Sequence, residues 1–595
     1  MKLSSLKTLE YVASGLPVFT TSVPGQEFID ENQIGICTDI ENANENFLLF
    51  LEKLSTFKKN VNDFRMKNKS ELSWERVASH TENLIKTNFK MKKSFIYIKI
   101  FYTSLFFISF IFSNQYSLAA PLQINIKNFG AKGDGKTNDH QAFVKASKYI
   151  NQAKQNITLI IPYGTYVIGQ QTPDNTWLLK GIDAISLNSC NNITIMGQPK
   201  KGKNPIIIYD NNLYYGAFQQ VNGNYIPQCT PAKNQMNKRI SCFIGSTFNL
   251  DKCNNITIKN LELDGNQNGM IIGGFYGDKG RQLGHRGFQL INCNQVNISN
   301  MDIHHFGLDG ITITSSNYIN IDKIKANYNG RQGLSWVDGD NITCTNSQFN
   351  YTGRSRIFSA PGAGIDIEPE GRKNLNNGTF FNCQFIGNAG CGVLNYRNNY
   401  LGNNMTFTNC TIAGLYNWAL WVQGTKFKFN NCQIYGHIAH AVSKDDAKTI
   451  DDFTTFDACY FSNVYNQYKT VSPSKYLFDW NNVKIRLLNS TVETFDVSFF
   501  WLNDLDKTQG MQSQISNTKF TSNNTQTVLS SINTGAATIQ KSTFNYTKGI
   551  TLSTEPGMLK GNTLNAMDNS QVNTLLKTSN YEQLTSDNFN LYQCK

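Results

Sequence analysis

Beyond residue 120 the chain runs in short stretches where apolar and polar residues alternate, and one pattern keeps returning: a small residue, then apolar, any, apolar. It recurs as "RGFQLI", "DGITIT", "QGLSWV", "AGIDIE", "CGVLNY", "WALWVQ" and "HAVSKD", with Gly287, Gly310, Gly333, Gly364, Gly392, Ala419 and Ala441 as the small residues. Their spacings are 23, 23, 31, 28, 27 and 22 residues. A second pattern, "NNITIMG", "NNITIKN", "QVNISN", "YINIDK" and "DNITCTN", marks another strand of each repeat. Alternation of period two predicts strands with one buried face, and a repeat of this length predicts stacked coils. The predicted class is therefore all-β, a parallel β-helix over residues 120–565, with 566–595 as a C-terminal cap or tail. An antiparallel sandwich or propeller is the alternative, because strand spacing does not give strand direction. Asn at the bends belongs to this scheme, so the N-x-T strings read as stacked turns and strands before they read as glycosylation sequons.

The first coil has a different opening. "NFGAKGDGKTNDHQAFVKASKYIN" begins with a Gly-rich turn. Thr137, Asn138 and Asp139 then supply N-cap chemistry for a helix with Ala142, Phe143, Ala146 and Ile150 on one face. "NITLIIPYGTYVIG" follows as strand, turn and strand. This order resembles the start of right-handed parallel β-helix proteins of the pectate-lyase-like superfamily, over about residues 121 to 460. The resemblance implies a helix covering the open end of the coil and a polysaccharide as partner. It transfers no catalytic residue. The Asn-Thr-Asp, Asp-Asp, Gly-His-Gly and Arg-Ile-Lys strings of polygalacturonase-like hydrolases are missing, as are Asp-Pro-His-Asp of mannuronan epimerases and Arg-x-Pro-x-x-Arg of classical pectate lyases.

Upstream, residues 91–119 combine a basic start at Lys92 and Lys93, an apolar aromatic run from Phe95 to Phe112, and small residues at Ser117 and Ala119. These are the parts of a signal peptide cleaved after Ala119, or of a membrane anchor if uncleaved. The predicted location is secreted, periplasmic or cell surface. In residues 1–90, "LKTLEYVASGLPVFTTSVPGQEFIDENQIGICTD" resembles the C-terminal half-domain of GT-B glycosyltransferases over about residues 4 to 88, with Glu10 where that family keeps a carboxylate for the donor. Such enzymes hold the donor between two Rossmann-like domains. With the first of them and most of the second missing, this small α/β fragment is not expected to catalyse, and it reads as the tail of a neighbouring gene or the product of an early start codon.

Charge adds a little. Residues 120–595 carry 41 Lys and Arg against 31 Asp and Glu. A basic balance suits an acidic polymer such as a uronic-acid polysaccharide, although lysines spread over a solvated surface explain it as well. No basic run interleaved with aromatics appears, which speaks against nucleic acid. Most of the 13 cysteines recur at one place in the repeat, as in "FNCQF", "FTNCTI" and "FNNCQI", and are expected as stacked buried thiols. Cys229 and Cys242 bracket a polar loop and are the candidate disulfide.

Aligning the repeats also nominates a site. The outward column reads Gln289, Thr312, Ser335, Asp366, Leu394, Trp421 and Ser443, and two residues further on the same face carries Glu368 and Tyr396. Asp366 and Glu368 thus share one strand face about 6.5 to 7 Å apart by strand rise. That suits an acid and a base across a glycosidic bond, and their repulsion raises one pKa. Asp309 is the third candidate catalytic carboxylate. Arg331, Gln332, Tyr396, Arg397, Trp421, His285 and Arg286 are the candidate substrate contacts, since Arg pairs with a uronate and exposed aromatics stack on sugars. His304 and His305 are expected on opposite faces. Asp338 and Asp340 read first as a turn and second as a calcium site, calcium being the one cofactor left open. No spacing suggests zinc, a phosphate-binding loop or a serine triad. Hydrolysis is preferred over β-elimination; a non-catalytic glycan-binding or surface protein is the alternative, and a glycosyltransferase the least favoured reading.

Overall fold

The computed structural model describes residues 121–566, apart from 154, 229–236, 275–281, 372, 398, 472–473, 505, 507, 509, 524–529, 547–549, 555–558 and 561. It also describes 589–593 and, near the start, 18–21, 28–33, 35–38, 46, 49–50 and 52–67. The segment 91–119, Glu10 and Cys229 lie outside the described residues.

The chain divides into two compact units, Met1–Ser117 and Leu118–Lys595. In the first, strands Val18–Thr21 and Gly35–Thr38 pair in parallel, with helix Phe28–Glu31 between them in sequence. Helix Leu54–Lys67 buries Phe57 and Val61. The second unit is an all-β parallel β-helix. Its described strands fall mainly into three long sheets of 18, 13 and 9 strands. Nearly all their pairings are parallel and join one coil to the next, so strand direction settles the choice left by spacing.

Up to Ala419 and Trp421, both sequence templates occupy the rungs assigned to them. In the largest sheet Ile193, Ile256, Val296, Ile319 and Ile342 stack in register, all fully or almost fully buried. In the 13-stranded sheet, strands Phe288–Ile291, Asp309–Thr314, Gln332–Trp336, Ala363–Ile367, Val393–Asn395 and Leu420–Val422 follow one another in the same way. The small residue at the start of each rung has a steric reason: a Cβ on Gly310 would lie 2.7 Å from the Gly333 carbonyl oxygen of the next coil. That column departs from the repeat reading at its end. Ala419 N–H donates to the His437 carbonyl, so His437 holds the slot expected for Ala441.

Asparagine makes the bends. Asn192, Asn255, Asn260, Asn300, Asn377 and Asn404 all take positive φ, a conformation asparagine tolerates better than most residues. Their side chains form ladders, Asn255 to Asn192 at 2.7 Å and Asn300 to Asn260 at 2.9 Å. Cysteines follow the same logic inside the coil. Ten free, buried cysteines are described, and Cys293 Sγ donates to the Leu250 carbonyl of the preceding coil. Cys242 is one of the free thiols.

Helix His140–Ala153 buries Ala142, Phe143, Ala146 and Ile150, as its period predicts. Asp139 accepts from the Lys132 and Gly133 amides, which fastens the Gly-rich turn to the helix start, and Asn138 caps His140 N–H at 3.0 Å. At the other end, strand Phe589–Gln593 pairs in parallel with Asn562–Ala566. At least this part of the 566–595 segment continues the sheet rather than trailing from it.

Candidate functional site

The outward face of the 13-stranded sheet carries the candidate site. Its register stacks Ser186, Asn249, Gln289, Thr312, Ser335, Asp366, Leu394 and Trp421 in one column. The next rungs are Ala439, Asp479 and Trp501. Ser443, expected there, instead sits in a turn where its Oγ donates to Asp446 at 2.6 Å. Its repeat match reflects a similar string on a loop, not a strand.

A buried charged centre lies on three adjacent rungs. Asp309 is fully buried and held by Arg331 through Nε at 2.8 Å and Nη2 at 2.7 Å, while Thr312 Oγ1 donates to it at 2.7 Å. Arg286 Nε stands 3.7 Å away and has no hydrogen-bond partner of its own. Gln332, in register with Asp309 on one side and Ala363 on the other, donates its side-chain amide to Asp366. Asp366 is only 2% exposed. Glu368, two residues on, and Glu370 add to the local negative field.

Burial, then Glu368, pushes the Asp366 carboxyl well above the usual carboxylate range, against the pull of Arg331. Glu368 is raised too, by burial and then by Glu370. Burial works against a charged Arg331, yet Asp309 outweighs it and the guanidinium is held more firmly protonated than usual.

An aromatic platform continues the column. Tyr396, 58% exposed, lies 6.3 Å from Trp421, which packs against Trp418 at 6.2 Å and His440 at 4.3 Å between ring centroids. Arg397 forms an ion pair with Asp446, and its backbone N–H donates to the Gln423 side-chain oxygen. Glu370 and His440 were missed by the sequence reading. The Glu-Pro-Glu string was a signal for the first, while His440 arrives from the loop after its rung and has none.

Three expectations need correction. His285 is fully buried, accepts from Gly307 N–H at 2.8 Å on Nδ1, and packs edge-on to Tyr209 at 4.7 Å. Burial, with Arg286 beside it, pushes its pKa down to about 3. It is a core group with no exposed surface to offer a substrate. Arg331 and Arg397 are present on the face but already paired with carboxylates. His304 and His305 do not point apart: their Nδ1 atoms lie 2.7 Å from each other. Asp338 and Asp340 serve turns, Asp338 accepting from Gly339 N–H and Ser315 Oγ, and Asp340 from Asn376 N–H.

With this geometry in place, the family comparison agrees with the β-helical architecture. Residues 246–412 match the family model described as the right handed beta helix region, a span that includes Asp309, Arg331, Asp366 and Glu368. Among solved structures, the A-module of a mannuronan C-5 epimerase from Azotobacter vinelandii is 12% identical, with 79% of this chain and 99% of that one covered and a TM-score of 0.33. A family 28 exopolygalacturonase from Yersinia enterocolitica is 13% identical, with 80% and 78% covered and a TM-score of 0.33. ORF18 of Geobacillus virus E2 is 15% identical, with a TM-score of 0.34, and covers 68% of this chain. This chain spans 62% of that viral protein. Likenesses at this level of identity concern the fold, and they assign no residue a role.

Proposed function

We propose that the β-helix is a polysaccharide-active enzyme in which Asp366 and Glu368 are the proton-transferring pair. The observation that carries this is the buried Asp366 carboxyl, its pKa raised by burial and by the neighbouring Glu368, one rung from Tyr396 and two from Trp421. A carboxyl whose pKa is raised keeps its proton to higher pH and is suited to donate it, and its partner, once ionised, is the matching base. The exposed aromatic rings offer apolar faces on which a sugar ring stacks.

Hydrolysis of an acidic or complex glycan is favoured over β-elimination. Elimination needs a group that neutralises the uronate, and both Arg331 and Arg397 are already engaged by carboxylates. Arg286 stands 3.7 Å from Asp309. A second reading, a non-catalytic glycan-binding surface protein, is favoured by the burial of Asp366, which presents little area to a substrate. Export rests on the 91–119 segment; N-terminal sequencing of exported protein is expected to begin at Ala120.

Incubating the chain with a panel of glycans separates these readings. New reducing ends without unsaturated-uronate absorbance are expected. That absorbance would make it a lyase, and binding without product would make it a binder.

A further inference from the structure

The geometry points to a divalent transition-metal site, formed by Asp264, His304 and His305, at the end of the largest sheet's longest strands. The ligand atoms of these three residues all lie within 4.8 Å of one another. His304 Nδ1 is 3.6 Å from Asp264 Oδ1 and 2.7 Å from His305 Nδ1.

Their convergence has a local cause. Asp264 and His304 are register partners on adjacent parallel strands, as are Glu262 and Asp302 two residues earlier. His305 should point to the opposite face, but it takes φ +59° at the bend, which swings its ring back beside His304. Gly265 permits the close approach of that bend, since a Cβ there would lie 2.4 Å from the His305 carbonyl oxygen. The His305 ring is then fixed by parallel stacking on Tyr328, 5.5 Å between centroids, and Tyr328 in turn stacks on Tyr351 at 5.0 Å.

Two imidazoles and one carboxylate with positions open to solvent form a donor set suited to zinc and its neighbours. Zinc–nitrogen bonds of about 2.0–2.1 Å place tetrahedral ligand atoms roughly 3.4 Å apart. The His304–Asp264 distance already matches that edge. The His–His gap is closer because a single hydrogen bond spans it, and it widens when a cation replaces the proton. Ligating histidines characteristically give their other ring nitrogen to a carboxylate. Here His304 Nε2 faces Glu262 Oε1 at 3.5 Å. Asp264, Glu262 and Asp302 supply the negative field for a dication, and all three candidate ligands are partly exposed, so an ion can reach them.

The test is equilibrium dialysis of the full chain against ZnCl2 after chelator treatment, with zinc counted by mass spectrometry. One zinc per chain is expected, with affinity at least tenfold weaker in His304→Ala and in Asp264→Asn. The second variant keeps the side-chain oxygen that accepts from Asn266 N–H, so the turn is retained. Glu262→Ala is expected to weaken binding roughly 10- to 100-fold, the effect of losing a carboxylate behind a ligating histidine. Zinc should raise the melting temperature of the parent chain and not of Asp264→Asn. Cobalt as a probe should give d–d bands without thiolate charge transfer. Absence of zinc from the parent chain, unchanged binding in both ligand variants, or a thiolate signature would overturn the proposal.

Discussion

Arg331 grips Asp309 through two parallel hydrogen bonds of 2.8 and 2.7 Å, with the carboxylate fully buried. This pair is the floor of the candidate site rather than a substrate contact. Asp309→Asn leaves Arg331 and Arg286 without their counter-charge, and breaking a buried pair from one side costs about 3–5 kcal/mol. Denaturant unfolding should show a loss of that order. Replacing Arg286 instead, which has only the longer 3.7 Å contact, should cost less.

Asp366 gives the protein a pH signature. Its folded-state pKa is raised, so its contribution to stability is fully present below the unfolded value of about 3.9 and is lost as pH rises through the folded value. Thermal melts of the parent and Asp366→Asn should therefore diverge across that range, with the Asn variant losing less stability on going from acid to neutral pH. Parallel pH curves would mean the carboxyl is not raised.

His285 has the opposite sign. Burial holds its pKa down to about 3, so its contribution is present above the unfolded value of about 6.5 and is lost as pH falls towards 3. His285→Phe leaves the buried Gly307 N–H unpaired, at a cost of about 1–3 kcal/mol near neutral pH. The gap to the parent should narrow between pH 6 and pH 4 in chemical denaturation, because the variant has no imidazole to protonate.

Tyr396→Ala separates binding from folding. The ring is largely exposed, and surface changes of this kind usually stay within about 0.5 kcal/mol in stability. An aromatic contact is worth about 0.5–1.5 kcal/mol, so glycan affinity should fall roughly 2- to 10-fold at an unchanged melting temperature. Calorimetric titration with oligosaccharides measures the first, and differential scanning the second.

The sequence carried most of the fold because a strand's in-out alternation and a coil's small-residue slot both repeat. Gln289, Thr312, Ser335, Asp366, Leu394 and Trp421 were legible as one column for that reason. Legibility stopped where the repeat did. The strand at Ile438–Ala439 is only two residues long, so the small-residue template latched onto Ala441 in the following turn and misplaced Ser443. Pairings between side chains were out of reach altogether. Nothing periodic says that Arg331 folds back onto Asp309, that Arg397 finds Asp446, or that Gln332 donates to Asp366. A single positive φ at His305 overturned the alternation argument for the two histidines. Backbone choices at bends depend on tertiary neighbours such as Tyr328, and no local pattern records them.

The central claim is that Asp366 and Glu368 move protons to a glycan, and the most direct measurement compares reducing-end release by the parent chain with Asp366→Asn and Glu368→Gln on a responsive polysaccharide. Both variants should bind the glycan as the parent does while release falls at least 100-fold, the lower range of general acid–base assistance. Release at the parental rate by both variants would contradict the account.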